Sequence, residues 1–418
     1  MKVISIVLLL ILSLTLSACS PFSDKSISTL GNEVGAISSD SNQQLQKLFE
    51  ESDIPSLAVG ILVDNEMIWA KGYGNQPDLS TVYMIGSIDK TFITIAILQL
   101  HEQERINLDD DVNQYLPFSV RHPDYPDIPI TIQMLLTHMA GLSHDFPGTR
   151  YTDNDGPMLR WMFSNEGNQF WDLYHSYFPP SEDKYLENLF LPESKYGSDF
   201  WISKPGTQYQ YSNSAYYLLL KRVIEAASSQ NYDVYIQENI IEPLGMENTS
   251  FDAYDYPEEQ LAVPYENFGE NGSKDFPLTG ISASGRLRSN VIDLSKYLLV
   301  HMNQGRGNDH QILQAESVNM MHDQTVVLNF TDFPPMELEG LGLSWFLWED
   351  GYQGHPGATP GYLAQIIYNE GDKMPYGIVI LMTYGCSKTE CDFDWFNKYY
   401  VGIREILFSE AEMIALDK

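Results

Sequence analysis

The sequence predicts an α+β fold in which both ends of the chain build one sheet and a helical middle packs beside it as a second lobe. Three observations predict it. Two strand-like runs, Ser56–Val63 and Met67–Gly74, flank Asp64-Asn65, a hairpin signal. Strand-like runs return in the final third at Leu343–Trp348, Tyr362–Tyr368 and Gly377–Thr383. Between them, from about residue 105 to 340, the patterning is mainly helical, as at Ile132–Thr137, Tyr216–Ala227 and Ile292–Met302.

Taken in order, Gln44–Ser52 has helical spacing and opens the domain, which is expected to span 44–412. Thr91–Leu100 is apolar on nearly every face, so it is expected as a helix buried in the middle of the domain. The stretch 145–204 is aromatic and Pro-rich with weak periodicity. It is long for a plain connection and is expected to shape a binding cleft. A closing helix is expected over Asp394–Phe408. With 43% hydrophobic residues in 418, the chain can bury a large core without a disulfide framework. A cleft between lobes is a natural place for a site.

The balance of 57 acidic against 24 basic residues gives a formal net charge of −33. Such a surface repels phosphate backbones, which argues against nucleic acid as a partner. The acidic residues are dispersed and form no tail.

Lys2 precedes an apolar and Ser/Thr run, Val3–Leu16, too short for a comfortable membrane span but suited to a signal-peptide core. Leu16-Ser17-Ala18-Cys19 follows and resembles a bacterial lipobox, in which the cysteine is lipidated and becomes the first mature residue. The alternative is an ordinary signal peptide with a chance cysteine. The expectation is a signal peptide over 1–18, lipid on Cys19 and a flexible Ser/Asn/Asp/Gly-rich tether over 19–43. That sends the protein across the bacterial inner membrane and anchors it at the periplasmic or extracellular face of the envelope. Cys386 and Cys391 could bridge in an oxidising compartment or remain two thiols, structural in either case.

Three segments can carry chemistry. Gly86-Ser87-Ile88-Asp89-Lys90 stands just before the buried helix. Ser87 falls at its first turn, where unpaired N–H groups and the helix dipole favour developing negative charge. Lys90, three residues on, shares its face. A serine hydroxyl needs a base, and a lysine held in a dry cleft can become one. The spacing alone is weak, since Ser181–Lys184 repeats it in a polar loop, and the plain alternative is a helix cap with an exposed Lys90.

The second segment is Lys204-Pro205-Gly206 leading to Tyr211-Ser212-Asn213. Tyr211 could relay a proton to a leaving group, and Asn213 could bond both Lys90 and substrate. The alternative is a core tyrosine and a helix-capping asparagine. The third is His355-Pro356-Gly357-Ala358 at a strand entrance, where glycine lets backbone approach a ligand and an edge N–H can hold an oxyanion. Alone it reads as a hairpin turn.

Together, in this order, Ser-x-x-Lys, Tyr-Ser-Asn and His-x-Gly resemble the serine β-lactamase and penicillin-binding-protein superfamily, nearest its class C β-lactamase-like branch. Leu108–Val112 with Tyr115-Leu116-Pro117, Leu135–Leu142, Glu242–Met246 and Ser282–Gly285 resemble lesser family motifs, so the likeness runs over roughly residues 45–410. It implies a β-lactamase/transpeptidase-like fold, with an antiparallel sheet flanked by helices and an all-helical lobe. It also implies that Ser87 forms an acyl-enzyme, that Lys90 and Tyr211 share the proton work and that Asn213 orients them. His355 takes the place that Lys fills in many members. The backbone N–H groups of Ser87 and Ala358 form the oxyanion hole, and Gly357 lies against substrate. His138 belongs to a motif that packs the helical lobe. No cofactor or metal is implied, and no histidine pair has zinc-ligand spacing with an acidic third ligand.

Two departures bear on substrate. Pro356 stands where many penicillin-recognising members carry Thr or Ser, and it offers neither hydroxyl nor N–H. His355 in place of Lys makes the site less permanently cationic. Both fit hydrolysis of small esters, amides or peptides better than a β-lactamase or a D-Ala-D-Ala carboxypeptidase. A surface lipoprotein that binds without turnover is the remaining alternative, and a monomer is expected. Asp89, in a position more often small, is expected to face solvent unless it perturbs Lys90.

Overall fold

The computed structural model describes residues 31–143, 187, 190, 200–252, 255–263, 287–330, 338–359, 361–384 and 393–418. Cys19, Cys386, Cys391, the motif Ser282–Gly285, Ser181–Lys184 and most of the 145–204 stretch lie outside them.

The chain enters as a short strand β1 (Glu33–Gly35) and helix α1 (Ser39–Ser52). A hairpin follows, β2 (Ser56–Val63) and β3 (Glu66–Gly74), turning at the expected Asp64-Asn65. Strand β4 (Tyr83–Met84) leads through a tight 3₁₀ turn, Gly86–Ile88, into α2 (Asp89–Glu102). The described parts of the helical lobe include α3 (Ile132–Leu136), a π-helical stretch Ala215–Leu220, α4 (Lys221–Ser228) and α5 (Tyr232–Ile236).

Strand β5 (Arg288–Ser289) pairs with β4 and brings the chain back to the sheet through α6 (Val291–Met302). The two-residue strands β6 (Arg306–Gly307) and β7 (His310–Gln311) form a small hairpin before α7 (Ala315–His322). The last strands are β8 (Val326–Phe330), β9 (Leu338–Leu341), β10 (Phe346–Trp348), β11 (Tyr352–Thr359), β12 (Tyr362–Asn369) and β13 (Tyr376–Thr383). Helix α8 (Gly402–Asp417) closes the chain.

Among the described residues nine strands form one antiparallel sheet in the order β1-β3-β2-β13-β12-β11-β10-β9-β8, so both chain ends build it, as expected. The central strands β2 and β13 are buried along their whole length. Their side chains alternate between two cores. Val59, Ile61, Ile378 and Ile380 pack under α1 and α8. Ala58, Leu62, Val379 and Leu381 pack toward α2, α6 and the helical lobe. This two-sided burial explains why both strands read as continuous apolar runs.

Helix α2 lies inside the second core. Phe92, Ile93, Ile95, Ala96, Ile97, Leu98 and Leu100 are all fully buried. Phe92 stacks on Tyr297 of α6 with ring centroids 3.9 Å apart, and the Tyr297 hydroxyl donates to Thr91 Oγ1 at 2.7 Å. The nucleophile candidate is thus mounted on an element gripped on every side.

The expected tether, 19–43, is too long at its C-terminal end. Strand β1 extends the sheet beside β3, where Glu33 accepts from the Trp69 indole at 2.9 Å. Helix α1 begins at Ser39, capped by Ser38. Glu410 of α8 accepts from the Ser38 N–H and hydroxyl, both at 2.7 Å, and from the Ser41 hydroxyl at 2.6 Å. These residues looked like linker because they are small and polar. Glu410 lies 372 positions from Ser38 and 369 from Ser41, beyond any local pattern. The last helix likewise runs to Asp417, past the expected end. Among the described residues no helix is long and apolar enough to cross a membrane.

Candidate active site

The site begins with the turn before α2. Gly86 adopts φ +55, and Ser87 follows it, half-buried and open to solvent. Strand β11 lies directly on this turn, and two glycines make that possible. A Cβ on Gly357 would meet the Ile85 carbonyl oxygen at 2.0 Å, and one on Gly86 would meet the Ala358 nitrogen at 2.7 Å. Strand β10 pairs with β11 only at Gln353 and Gly354. Beyond them, among the described residues, the β11 edge over Pro356–Thr359 has no strand partner on that side and faces the Ser87 turn instead. Ala358 is exposed there.

Lys90 sits in the first turn of α2, completely buried. Its Nζ donates to Ser87 Oγ at 3.1 Å, the contact that three-residue spacing on one helical face allows. Tyrosines surround it. Nζ lies 4.9 Å from the Tyr211 ring centroid, 4.7 Å from that of Tyr217 and 6.0 Å from that of Tyr216. It also donates to the Tyr217 hydroxyl at 3.4 Å. Burial pulls the Lys90 ammonium down to about 7, with the Asp89 carboxylate opposing. An amine poised there can exchange a proton near neutral pH, whereas an exposed lysine cannot.

Tyr211 comes from the loop ahead of the π-helical stretch, and its phenol faces the Ser87 side chain. Burial pushes that phenol up, and the neighbouring Ser87 side chain works the other way. His138 fixes this loop. It holds φ +58, its Nδ1 accepts the Ser212 N–H at 3.1 Å and its carbonyl accepts the Gln210 N–H at 2.9 Å. Its ring lies 4.5 Å from that of Tyr211. The packing role expected of His138 therefore has a specific object, the segment that presents Tyr211.

Two expectations change. Asn213 is half-buried and makes no side-chain hydrogen bond to Lys90, so the expected lysine–asparagine contact is not formed. Tyr217 takes that place. It stands four residues beyond Asn213, within the π-helical stretch Ala215–Leu220. Asp89 does not face solvent; it is 2% exposed and accepts from the Tyr232 hydroxyl at 3.0 Å.

His355 is buried on β11, with Nδ1 donating to the Pro356 carbonyl and its ring 4.9 Å from Phe346. Burial, reinforced by the nearby Lys90 cation, pulls the imidazole down to about 3. It is neutral near neutral pH, so it does not supply the charge that lysine brings at this position. Ser87, Lys90, Tyr211, Gly357 and Ala358 are brought together, with His355 behind them. Among the described residues no group of three or more His, Cys, Asp or Glu is gathered to hold a metal.

Comparison with known proteins bears on the family and the fold. A family model described as Beta-lactamase matches residues 42–390. Protein flp of Staphylococcus aureus (strain N315) is 25% identical over 359 residues, covering 82% of this chain and 64% of that protein. The chain thus spans less than two thirds of this relative's length. Beta-lactamase-like protein 2 of Dictyostelium discoideum is 26% identical over 302 residues, covering 69% of this chain and 49% of that protein. Among solved structures, an octameric penicillin-binding protein homologue from Pyrococcus abyssi superposes with a TM-score of 0.65 at 23% identity, over 88% of this chain and 76% of that one. A D-amino acid amidase from Ochrobactrum anthropi SV3 gives 0.65 at 20% identity, over 91% and 100%. The shared sheet-and-helix fold, the lysine seated beside Ser87 and a match over most of the sequence lead to one conclusion: the chain belongs to the Beta-lactamase family, whose members are serine hydrolases.

Proposed function

We propose that the protein is an acyl-serine hydrolase of small esters, amides or peptides, with Ser87 as nucleophile. One observation carries this reading: a fully buried lysine amine lies 3.1 Å from the hydroxyl of a solvent-reachable serine. Lys90 in its neutral form takes the Ser87 proton as Oγ attacks a carbonyl carbon. The oxyanion forms against the Ser87 and Ala358 N–H groups. The proton passes to the leaving oxygen or nitrogen through Tyr211, and the carbon–heteroatom bond breaks. Water then repeats the sequence on the acyl-enzyme and releases the acid. His138 and Tyr217 keep the lysine and Tyr211 in register, and Asn213 remains available to substrate.

The substrate class follows from the strand. Pro356 offers no hydroxyl and His355 no charge, so neither of these two positions holds a substrate carboxylate. That favours neutral acyl groups over penicillins and D-Ala-D-Ala termini. The likeness to a D-amino acid amidase supports amides among them. The lipobox-like Leu16–Cys19 supports a place at the cell envelope, tethered through Cys19. Cys19→Ala should release the protein from the membrane fraction.

The test is intact-mass analysis of protein lacking residues 1–19 after exposure to a fluorophosphonate and to a labelled penicillin. Addition of the phosphonate alone is the expected result, and Ser87→Ala should abolish it. Addition of both reagents would favour a wall enzyme. Addition of neither, or label persisting in Ser87→Ala, would sink the assignment and leave a binding lipoprotein.

A further inference from the structure

A cavity of about 440 Å³ opens at the opposite end of α2 from Ser87. Gln99 and Glu102, in the last turn of that helix, line it. At the helical rise Gln99 stands roughly 18 Å from Ser87, so this is not the cleft already described. Glu238 and Asn239 join the lining from a second π-helical stretch, Gln237–Ile241. Gln311 of β7 and Ile312 join it from the small hairpin. Gln99 and Ile312, 8% and 5% exposed, make the buried base, and Glu102, Glu238 and Gln311 stand exposed at the rim.

The hydrogen-bonding capacity of this lining is lopsided. Gln99 Nε2 donates to the Asn239 carbonyl at 3.2 Å and to the Ile312 carbonyl at 3.0 Å. Two carbonyl partners fix which end of the amide is nitrogen, and they use both of its protons. Gln99 Oε1 is left buried with no partner among the described residues. Gln311 repeats the pattern, with Nε2 donating to the carbonyls of Gln304 and Leu313. Asn239 Nδ2 donates to the Tyr235 carbonyl at 2.9 Å. Glu102 accepts the Gln314 N–H at 2.7 Å through one oxygen, and Glu238 accepts from Gln230 at 2.8 Å through one. The protein's own carbonyls consume these amide donors, and the acceptors remain for a ligand rich in N–H groups.

Charge points the same way. Among the described residues that line the cavity there are two carboxylates and no Lys or Arg. The C-terminal end of α2 carries the negative end of the helix dipole, which favours a cation there as the N-terminal end favours an anion at Ser87. Arg105, whose charge reaches Tyr235, and Arg306, opposite Gln311 in the hairpin, are exposed and outside the lining.

We propose that this cavity binds an aliphatic polyamine, whose ammonium groups meet the carboxylates of Glu102 and Glu238 and the freed amide oxygens between them. A bare metal ion fits less well. No three His, Cys, Asp or Glu gather here among the described residues, and the volume is that of a small-molecule pocket. The proposal does not depend on the acyl-serine reading.

The experiment is calorimetric titration of the whole protein with spermidine, at an ionic strength that screens its diffuse charge. Saturable binding at one site is expected. Glu102→Gln and Glu238→Gln should each weaken it about threefold, and the pair together about tenfold. Glu50→Gln, which removes the same charge from α1, should leave it unchanged. Gln99→Met, which deletes the oxygen at the base, should also weaken it. No saturable heat overturns the site. So does an equal loss in all the Glu→Gln variants, which would mark a diffuse ion atmosphere, or a folded Gln99→Met that binds as before. If Gln99→Met does not fold, the two exposed acids decide alone. Sorbitol, neutral and rich in donors, should not compete with spermidine; competition by it overturns the role of charge. Calcium that displaces spermidine and loses affinity in Glu102→Gln and Glu238→Gln overturns the organic class of ligand.

Discussion

The hydroxyl of Ser87 is placed by backbone and the amine of Lys90 by side chains, and the two respond to different substitutions. Ser87 is held by the contact between its turn and β11, where Gly357 leaves no room for another atom. Gly357→Ala should force the strand off the turn, at a cost of about 1–3 kcal/mol of stability and with slower labelling of Ser87. Urea denaturation and labelling kinetics read both effects, and a variant unchanged in either would show that the contact is compliant. The Ser87–Lys90 pair was legible in the sequence because three residues on a helix is a fixed geometry. Tyr217 was not. It belongs to a π-helical stretch, whose wider turn shifts side chains away from the positions that α spacing assigns. Nor was the burial of Asp89, since an acid at a helix start ordinarily complements the dipole in water. Inside, it accepts from the Tyr232 hydroxyl, far along the chain.

At the scale of elements, the strands with the most uniform burial were the most legible. The expected Ser56–Val63 matches β2 residue for residue, and β12 and β13 differ from expectation by one residue each. Towards the other edge of the sheet the pattern fails. Strands β8 and β9 went unread and Leu343–Trp348 is strand only from Phe346. Ser344 there takes φ +55, and the β9–β10 and β8–β9 pairings each shift register, so no period of two survives long enough to be counted. The docking of α1 on α8 makes its own prediction. Burial raises the Glu410 carboxyl, but the Ser41 hydroxyl and the Ser38 N–H and hydroxyl outweigh it and hold the group below its ordinary value. Its contribution is therefore present at neutral pH and lost as pH falls through the depressed value. Glu410→Gln should cost on the order of 2 kcal/mol at pH 7. Denaturant curves of the two proteins should converge in acid; a gap that persists at low pH would mean that shape, not charge, matters at this contact.

For the molecule as a whole, charge sets what can approach. A formal net charge of −33 surrounds a site whose lysine, Lys90, is buried. At low ionic strength a cationic ester should acylate Ser87 faster than an anionic ester of equal size, and added salt should narrow the difference. Equal rates at low salt would show that the acidic residues lie too far from the cleft to steer. The tyrosines packed around Lys90 carry a different consequence. The weak proton affinity of that amine is no property of lysine but a loan from dryness, made jointly by the α2 core and a loop pinned through His138. Dryness is lost by small openings long before secondary structure melts. Water admitted between these rings would raise the amine's proton affinity towards its ordinary value. The chemistry should therefore be quenched by gentle loosening that circular dichroism would not register.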